Sequence, residues 1–215
     1  AENGTAESIT IQLNADGTPA GYGDGEHWYY SAASGCQLDT GVFALQPSSE
    51  PGAESALKAR LFRIGDNAEL VRGTVGCETN NYGTISGGTF QGSVYNSKDI
   101  SGGTFQKPVN NYGGTISGGT FEKRMTLMND GASITISDGL FKGEVVTEGC
   151  SSPLSISGGL FTKAVDASKI IPTGLSITGG YFVSEPTLPN GSDIAFTTVS
   201  DQNGRTFQVR VNGGF

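Results

Sequence analysis

Histidine, cysteine and basic side chains are scarce in this sequence, and each shortage narrows what the chain can do. The 215 residues include one histidine and three cysteines without a CxxC spacing, which leaves Cys/His metal sites unsupported. Only 13 Lys and Arg stand against 21 Asp and Glu, for a net charge of -8. Nucleic acids and anionic membranes attract basic patches, so we expect neither as a partner. No apolar run approaches the roughly 18 residues of a membrane span, so we expect no span.

The three cysteines allow one disulfide and leave one thiol over. They are Cys36, Cys77 and Cys150. Because Cys36 and Cys77 both precede the repeats described below, we predict a disulfide between them. Buried free thiols are the alternative, since cysteine packs as a small apolar residue. The state of Cys150 is left open.

Patterns typical of catalysis are also missing. His27 is the single histidine, and no GxSxG or HExxH motif accompanies it. Sugar-cleaving enzymes need converging carboxylates, but Asp99, Glu122, Asp138 and Glu144 occupy four different positions of the repeat. We therefore predict a protein that is not an enzyme and that uses no cofactor and no metal.

Glycine is abundant, with 34 residues, and a six-residue motif recurs. Frequent glycine disfavours helices, so an all-β fold is expected. The motif ISGGTF and its variants recur at intervals of 15, 16, 20, 20 and 21 residues, after a degenerate copy over 71–75. Its copies begin at Ile85, Ile100, Ile116, Ile136, Ile156 and Ile177. Five residues later come Phe90, Phe105, Phe121, Phe141, Phe161 and Phe182. Nine residues after each isoleucine come Val94, Val109, Met125, Val145, Val165 and Pro186.

One copy is too short to bury its apolar side chains alone, but stacked copies bury them against each other. The polar–apolar alternation in TISGGTF and SITIS indicates half-buried strands. We therefore predict a right-handed parallel β-helix of six to seven rungs over residues 71–190. The odd spacing between isoleucine and phenylalanine requires a bend between them. The second glycine of the motif never varies, which fits such a corner.

Two kinds of polar column accompany the apolar ones. Asn81, Asn96 and Asn111 share one position, where asparagine tolerates a left-handed turn and can hydrogen-bond its stacked copies. Serine and threonine flank each isoleucine in two outward ranks, which Asp99 interrupts. Such ranks resemble those of ice-binding proteins, so ice binding is a minor alternative. Ordinary exposed strand faces use the same residues.

The chain on either side of the repeats differs from them. In residues 1–70 we expect strands over SITIQL and GCQLDTGVFALQ, a short helix over AESALKARLF, and a role as N-terminal cap or small β-rich region. Residues 191–215 predict a hairpin around Asn203 and Gly204. The hairpin either caps its own rod or completes a neighbour's sheet. Repeated head-to-tail addition would build a homo-oligomeric filament.

Trp28, Tyr29 and Tyr30 form an aromatic cluster within the N-terminal region. Aromatic faces suit the apolar faces of sugar rings, so these residues are candidate glycan contacts. The competing interpretation is that the cluster plugs the open end of the rod, and we favour the plug.

The ISGGTF repeats over residues 71–190 resemble the parallel β-helix repeats of bacterial surface and secreted proteins, including the large adhesins of gut-dwelling anaerobes. More loosely, they are similar to the GGA-I and FxxN repeats of autotransporter-type surface proteins. The resemblance implies an extracellular or cell-surface protein with a structural or adhesive role and a host surface or surface glycan as partner. The small polar start AENGTAES, typical of residues left after export cleavage, agrees with that location. The alternative function is a carbohydrate-binding or carbohydrate-active module.

Overall fold

The chain folds as a stack of short parallel strands, in a computed structural model that describes residues 7–128, 132–148 and 153–211. The N-terminal part contains β1 (Ile9–Gln12), β2 (Trp28–Ser31), β3 (Gly35–Gln46), β4 (Ala56–Leu57), β5 (Phe62–Arg72) and β6 (Thr74–Val75). Strand β3 pairs in parallel with β5, and β1 pairs in parallel with β3. Parallel stacking therefore begins before residue 71, within the region that we expected to be a cap.

The repeats contribute the next strands, with a 3₁₀ turn at Pro172–Gly174. They are β7 (Thr79–Asn81), β8 (Thr84–Ile85), β9 (Thr89–Phe90), β10 (Val94–Asn96), β11 (Asp99–Ile100), β12 (Thr104–Phe105), β13 (Val109–Asn111), β14 (Gly114–Phe121), β15 (Met125–Met128), β16 (Ile134–Phe141), β17 (Val145–Glu148), β18 (Leu154–Ile156), β19 (Leu160–Phe161), β20 (Val165–Asp166), β21 (Leu175–Ile177) and β22 (Tyr181–Phe182). Each repeat isoleucine pairs with the isoleucine of the next rung, from Ile85 to Ile177. This register confirms the all-β parallel β-helix.

Three apolar columns fill the interior of the stack. The six repeat phenylalanines are buried, and their rings stack nearly parallel with centroids 4.5 to 5.0 Å apart. The valine column pairs in register from Val94 to Val165, with Met125 in its middle. The later and longer rungs add a further buried position at Ile134, Leu154 and Leu175. Each rung thus buries its side chains against the rungs on either side.

The two glycines of the motif answer different physical constraints. A Cβ at Gly102, the first glycine of its copy, would lie 2.2 Å from the carbonyl oxygen of Ser86 in the preceding rung. Gly103, the second, adopts φ of 95°, in the left-handed region that L side chains rarely enter. Asp138 replaces the first glycine in one copy, and the pairing of β14 with β16 shifts register there. The backbone must move to accommodate a side chain at that position.

Replacing Gly102 with alanine should therefore lower the free energy of unfolding by about 2 kcal/mol, the cost of overpacking a close backbone contact. Ser101→Ala is the matched control, because Ser101 is exposed on the same turn and its change should cost under about 0.5 kcal/mol. Urea unfolding followed by circular dichroism measures both. Equal stabilities of the two variants would show that the two rungs can move apart at Gly102 without loss of unfolding free energy.

The helix that we expected over AESALKARLF is wrong. Ala56 and Leu57 form β4, which pairs in parallel with Thr74 and Val75 of β6. Val75 in turn pairs with Phe90, so the fully buried Leu57 extends the phenylalanine column. Burial of Leu57 outweighs the modest helix propensity of the segment.

The cysteine pair also differs from expectation. Cys36 and Cys77, for which we predict a disulfide, are both free thiols in the structure. Burial raises the pKa of Cys36 to about 12 and also raises that of Cys77. A thiol that stays protonated is a poor nucleophile at neutral pH. Cys150 lies outside the described residues.

Antiparallel strands of the same chain cover both ends of the stack. Strand β2 pairs antiparallel with β3, Trp28 opposite Leu38 and Tyr30 opposite Cys36. At the other end, β23 (Phe196–Ser200) and β24 (Thr206–Arg210) form the predicted hairpin. Strand β24 pairs antiparallel with β22, and the Phe196 ring meets the Phe182 ring edge-on at 5.8 Å. The hairpin is docked on its own rod.

No helix among the described residues is long and apolar enough to cross a membrane.

Candidate functional site

The predicted aromatic cluster is largely committed to packing. Trp28 and Tyr30 are partly buried against the apolar core, and the Tyr29 hydroxyl group lies 3.3 Å from Oε1 of Gln37. The adjoining loop is held by Asp24, whose carboxylate accepts hydrogen bonds from the backbone N–H groups of Glu26 and His27. Hydrogen bonds from these N–H groups hold the pKa of Asp24 well below its usual range. This arrangement favours the plug over an open sugar platform.

A ladder of buried asparagines lies inside three consecutive rungs. The side chains of Asn81, Asn96 and Asn111 are fully buried and in register. Nδ2 of Asn81 donates to Oδ1 of Asn96 at 2.6 Å, and Nδ2 of Asn96 donates to Oδ1 of Asn111 at 2.5 Å. The expected hydrogen bonding between copies is confirmed. The left-handed geometry that asparagine tolerates is not used at these positions, because no described residue except glycine has a positive φ.

The residues next to this ladder form a cleft on the outer surface. Tyr82, Ser97 and Tyr112 each follow a ladder asparagine, and each backbone N–H donates to the carbonyl group of the preceding rung. The short, exposed Ser97 leaves a gap between the two tyrosines. Tyr95 and Asn80, paired with each other in β10 and β7, complete the lining. We call this cleft of about 360 Å³ the tyrosine cleft.

The tyrosine cleft was not among the sites predicted from the sequence. A partial signal existed in the segment NNYG, which occurs at both Asn80 and Asn110 and places a tyrosine after the ladder position. Tyr95 lies in a segment without this motif, VYNS, and its place beside Tyr82 and Tyr112 depends on the stacking register. The Arg63 guanidinium lies over the Tyr82 ring, 4.7 Å from its centroid, and helps to hold it.

A second and larger groove, of about 680 Å³, lies between the last rungs and the hairpin. Its walls include Leu160, Tyr181 and Phe207, and the Tyr181 and Phe207 rings meet edge-on at 5.9 Å. The hairpin turn is fixed by Asp201, which accepts hydrogen bonds from the backbone N–H and from Nε of Arg205. The groove is thus a consequence of hairpin docking. Its aromatic wall residues already contact each other where the hairpin packs on the last rungs.

The outward hydroxyl columns are aligned but incomplete. Thr115, Thr135, Ser155 and Ser176 pair in register, while Asp99 stands opposite Thr84 in the same rank. The Asp99 carboxylate accepts a hydrogen bond from the backbone N–H of Thr115 at 3.1 Å. A separate rank lies in register one residue before Val75 and the repeat phenylalanines. It changes from threonine to leucine along the rod: Thr74, Thr89, Thr104, Thr120, Leu140 and Leu160. Within the described residues, no three His, Cys, Asp or Glu side chains form a group that could hold a metal ion.

Comparison with protein-family models, curated proteins and solved structures finds no match to this chain.

Proposed function

We propose that this protein is a non-enzymatic, extracellular structural or adhesive β-solenoid, used as a short rigid rod that presents a surface. The observation that supports this most is the continuous stack between two covered ends. Its parallel register runs from β1 to β22, and a column of stacked phenylalanines lies inside it from Phe90 to Phe182. A core of stacked neighbours resists bending and fixes the spacing of surface side chains at roughly 4.8 Å per rung.

The covered ends favour a rod that remains separate over the head-to-tail filament. Exposed strand edges recruit other chains. An antiparallel strand of the same chain that pairs with such an edge prevents this recruitment. Strand β24 occupies the edge of β22, and β1 and β2 lie along β3. Filament growth would have to use the outer edges of β1 and β23 instead.

Carbohydrate binding is the second candidate function, and the tyrosine cleft is the observation that favours it. Packing of Trp28 and Tyr30 against the core argues against the N-terminal cluster as its location. A carbohydrate-active enzyme would release reducing ends from a glycan panel, and such release would contradict the non-enzymatic proposal. The ice-binding alternative is weakened by the interruptions at Asp99, Leu140 and Leu160 in the outward ranks.

Replacing Phe196 with aspartate should convert a monomer into a self-associating protein. Phe196 contacts Phe182 edge-on, and a carboxylate there would undock the hairpin and free the edge of β22. Thr197→Asp is the matched control, because Thr197 is the next residue of the same strand and is exposed. Light scattering coupled to gel filtration over a range of concentrations should show oligomers for Phe196→Asp only. Filaments formed by the unaltered protein would contradict the capped rod.

A further inference from the structure

We propose that the tyrosine cleft binds a neutral oligosaccharide. This inference rests on the adhesive form of the proposed function and assigns it a ligand class and a location. Tyr82 and Tyr112 stand two rungs apart, roughly 10 Å along the rod, with Ser97 between them. Tyr95 stands beside the gap. The cleft therefore offers aromatic side chains on several sides of a small depression.

The chemistry of the lining suits a sugar. The C–H faces of pyranose rings pack on aromatic rings, and tyrosine also offers a hydroxyl group as donor and acceptor. The amide of Asn80 and the hydroxyl of Ser97 add further donors and acceptors, which match the vicinal hydroxyl groups of a sugar. The five lining residues are neutral, and the Arg63 guanidinium that lies over the Tyr82 ring is not part of this lining. The volume of about 360 Å³ lies within the range of small-molecule sites and allows one or two sugar rings.

The cleft is also rigid before any ligand arrives. Directly beneath it lies the asparagine ladder, whose hydrogen bonds of 2.6 and 2.5 Å join three rungs. The Arg63 guanidinium additionally restrains the Tyr82 ring. A preorganised site loses less conformational entropy on binding, which raises affinity for weak ligands such as sugars. A proline-rich peptide is the main competing ligand for a tyrosine-lined groove, but it offers mainly carbonyl acceptors and would leave the acceptors of Asn80 and Ser97 unused.

Calorimetric titration of the full chain with cellopentaose, mannopentaose, N-acetylchitopentaose and a proline-rich peptide tests the proposal. We expect at least one sugar to bind, and Tyr95→Ala to weaken that binding by about tenfold or more. Ser97→Tyr should abolish it, because a fourth tyrosine in the lining fills the gap while adding an aromatic ring. Tyr22→Ala removes a tyrosine that is 80% exposed on a distant loop and should leave binding unchanged.

The outcomes separate this site from its alternatives. Absence of binding to every sugar at millimolar concentration would overturn the proposal, as would binding of the peptide alone. Loss of binding in Trp28→Ala but not in Tyr95→Ala would place the site in the N-terminal cluster instead. Melting temperatures of all variants identify any that fail to fold. If Tyr95→Ala fails to fold, Ser97→Tyr provides a second test of the site. The light-scattering behaviour of the capped rod is independent of all these results, so the two proposals can fail separately.

Discussion

Replacing Phe121 with alanine should lower the free energy of unfolding by about 3–5 kcal/mol, as truncation of a buried aromatic side chain does in a packed core. Phe121 is 1% exposed, and its ring stacks between those of Phe105 and Phe141 with centroids 4.8 Å away on each side. Alanine would remove both contacts and leave a cavity in the middle of the column. Because the backbone ladders hold the rungs apart, the neighbouring rings cannot close the gap.

Urea unfolding monitored by circular dichroism measures this loss. Thr120→Ala is the matched control, since Thr120 precedes Phe121 in β14 and belongs to the outward rank in register with Thr104 and Leu140. It should cost under about 1 kcal/mol. A loss below about 1.5 kcal/mol for Phe121→Ala would mean that the column is not closely packed in solution.

Replacing Asn96 with leucine should cost about 3 kcal/mol, although leucine is apolar and the site is fully buried. Asn96 accepts from Asn81 and donates to Asn111 and to the carbonyl oxygen of Lys98. Its loss leaves two buried polar groups, Nδ2 of Asn81 and Oδ1 of Asn111, and the partly buried carbonyl group of Lys98 without this partner. Each buried group costs on the order of 1–3 kcal/mol, and buried leucine offsets part of the sum.

The corresponding change at Asn111 should be nearly neutral, within about 1 kcal/mol. Leucine removes the acceptor that Oδ1 of Asn111 offers to Asn96, but Nδ2 of Asn96 keeps its 2.9 Å hydrogen bond to the carbonyl oxygen of Lys98. Nδ2 of Asn111 is buried without a hydrogen-bond partner in the described residues, so leucine also removes an unsatisfied donor, which offsets part of the loss. The next rung already has Leu127 in this column, which pairs with Asn111. Thermal unfolding of the two variants under identical conditions provides the comparison. Equal losses would show that the ladder contributes as separate side chains and not as a connected network.

The asparagine ladder also links stability to the proposed binding function. It lies under the tyrosine cleft, and Tyr82 and Tyr112 directly follow two of its members. Any change that loosens the ladder should therefore also weaken sugar binding, through the position of the tyrosines. Asn96→Leu should show both effects, and Asn111→Leu should show neither to a large extent.

The repeats could be predicted from the sequence because their information is periodic. An isoleucine, then a phenylalanine five residues later and a valine after nine, recurs with glycines that permit the bend. A repeated set can be buried only by stacking copy on copy. Accordingly, the Ile85 and Phe90 columns were expected and were found, and so was the hydrogen-bonded asparagine column.

The features that do not follow from the repeat period were decided by the tertiary structure. Leu57 sits in a segment with helical propensity, yet it forms a strand because Val75 and Phe90 provide a column that it can extend. The hairpin docks on β22 because the last rung presents a strand edge and the Phe182 ring to it. The tyrosine cleft joins side chains from three rungs, of which the first and third share the segment NNYG and the middle one has VYNS. Local sequence specifies which face a side chain occupies, whereas neighbours across rungs are specified by the register, which only the folded stack defines.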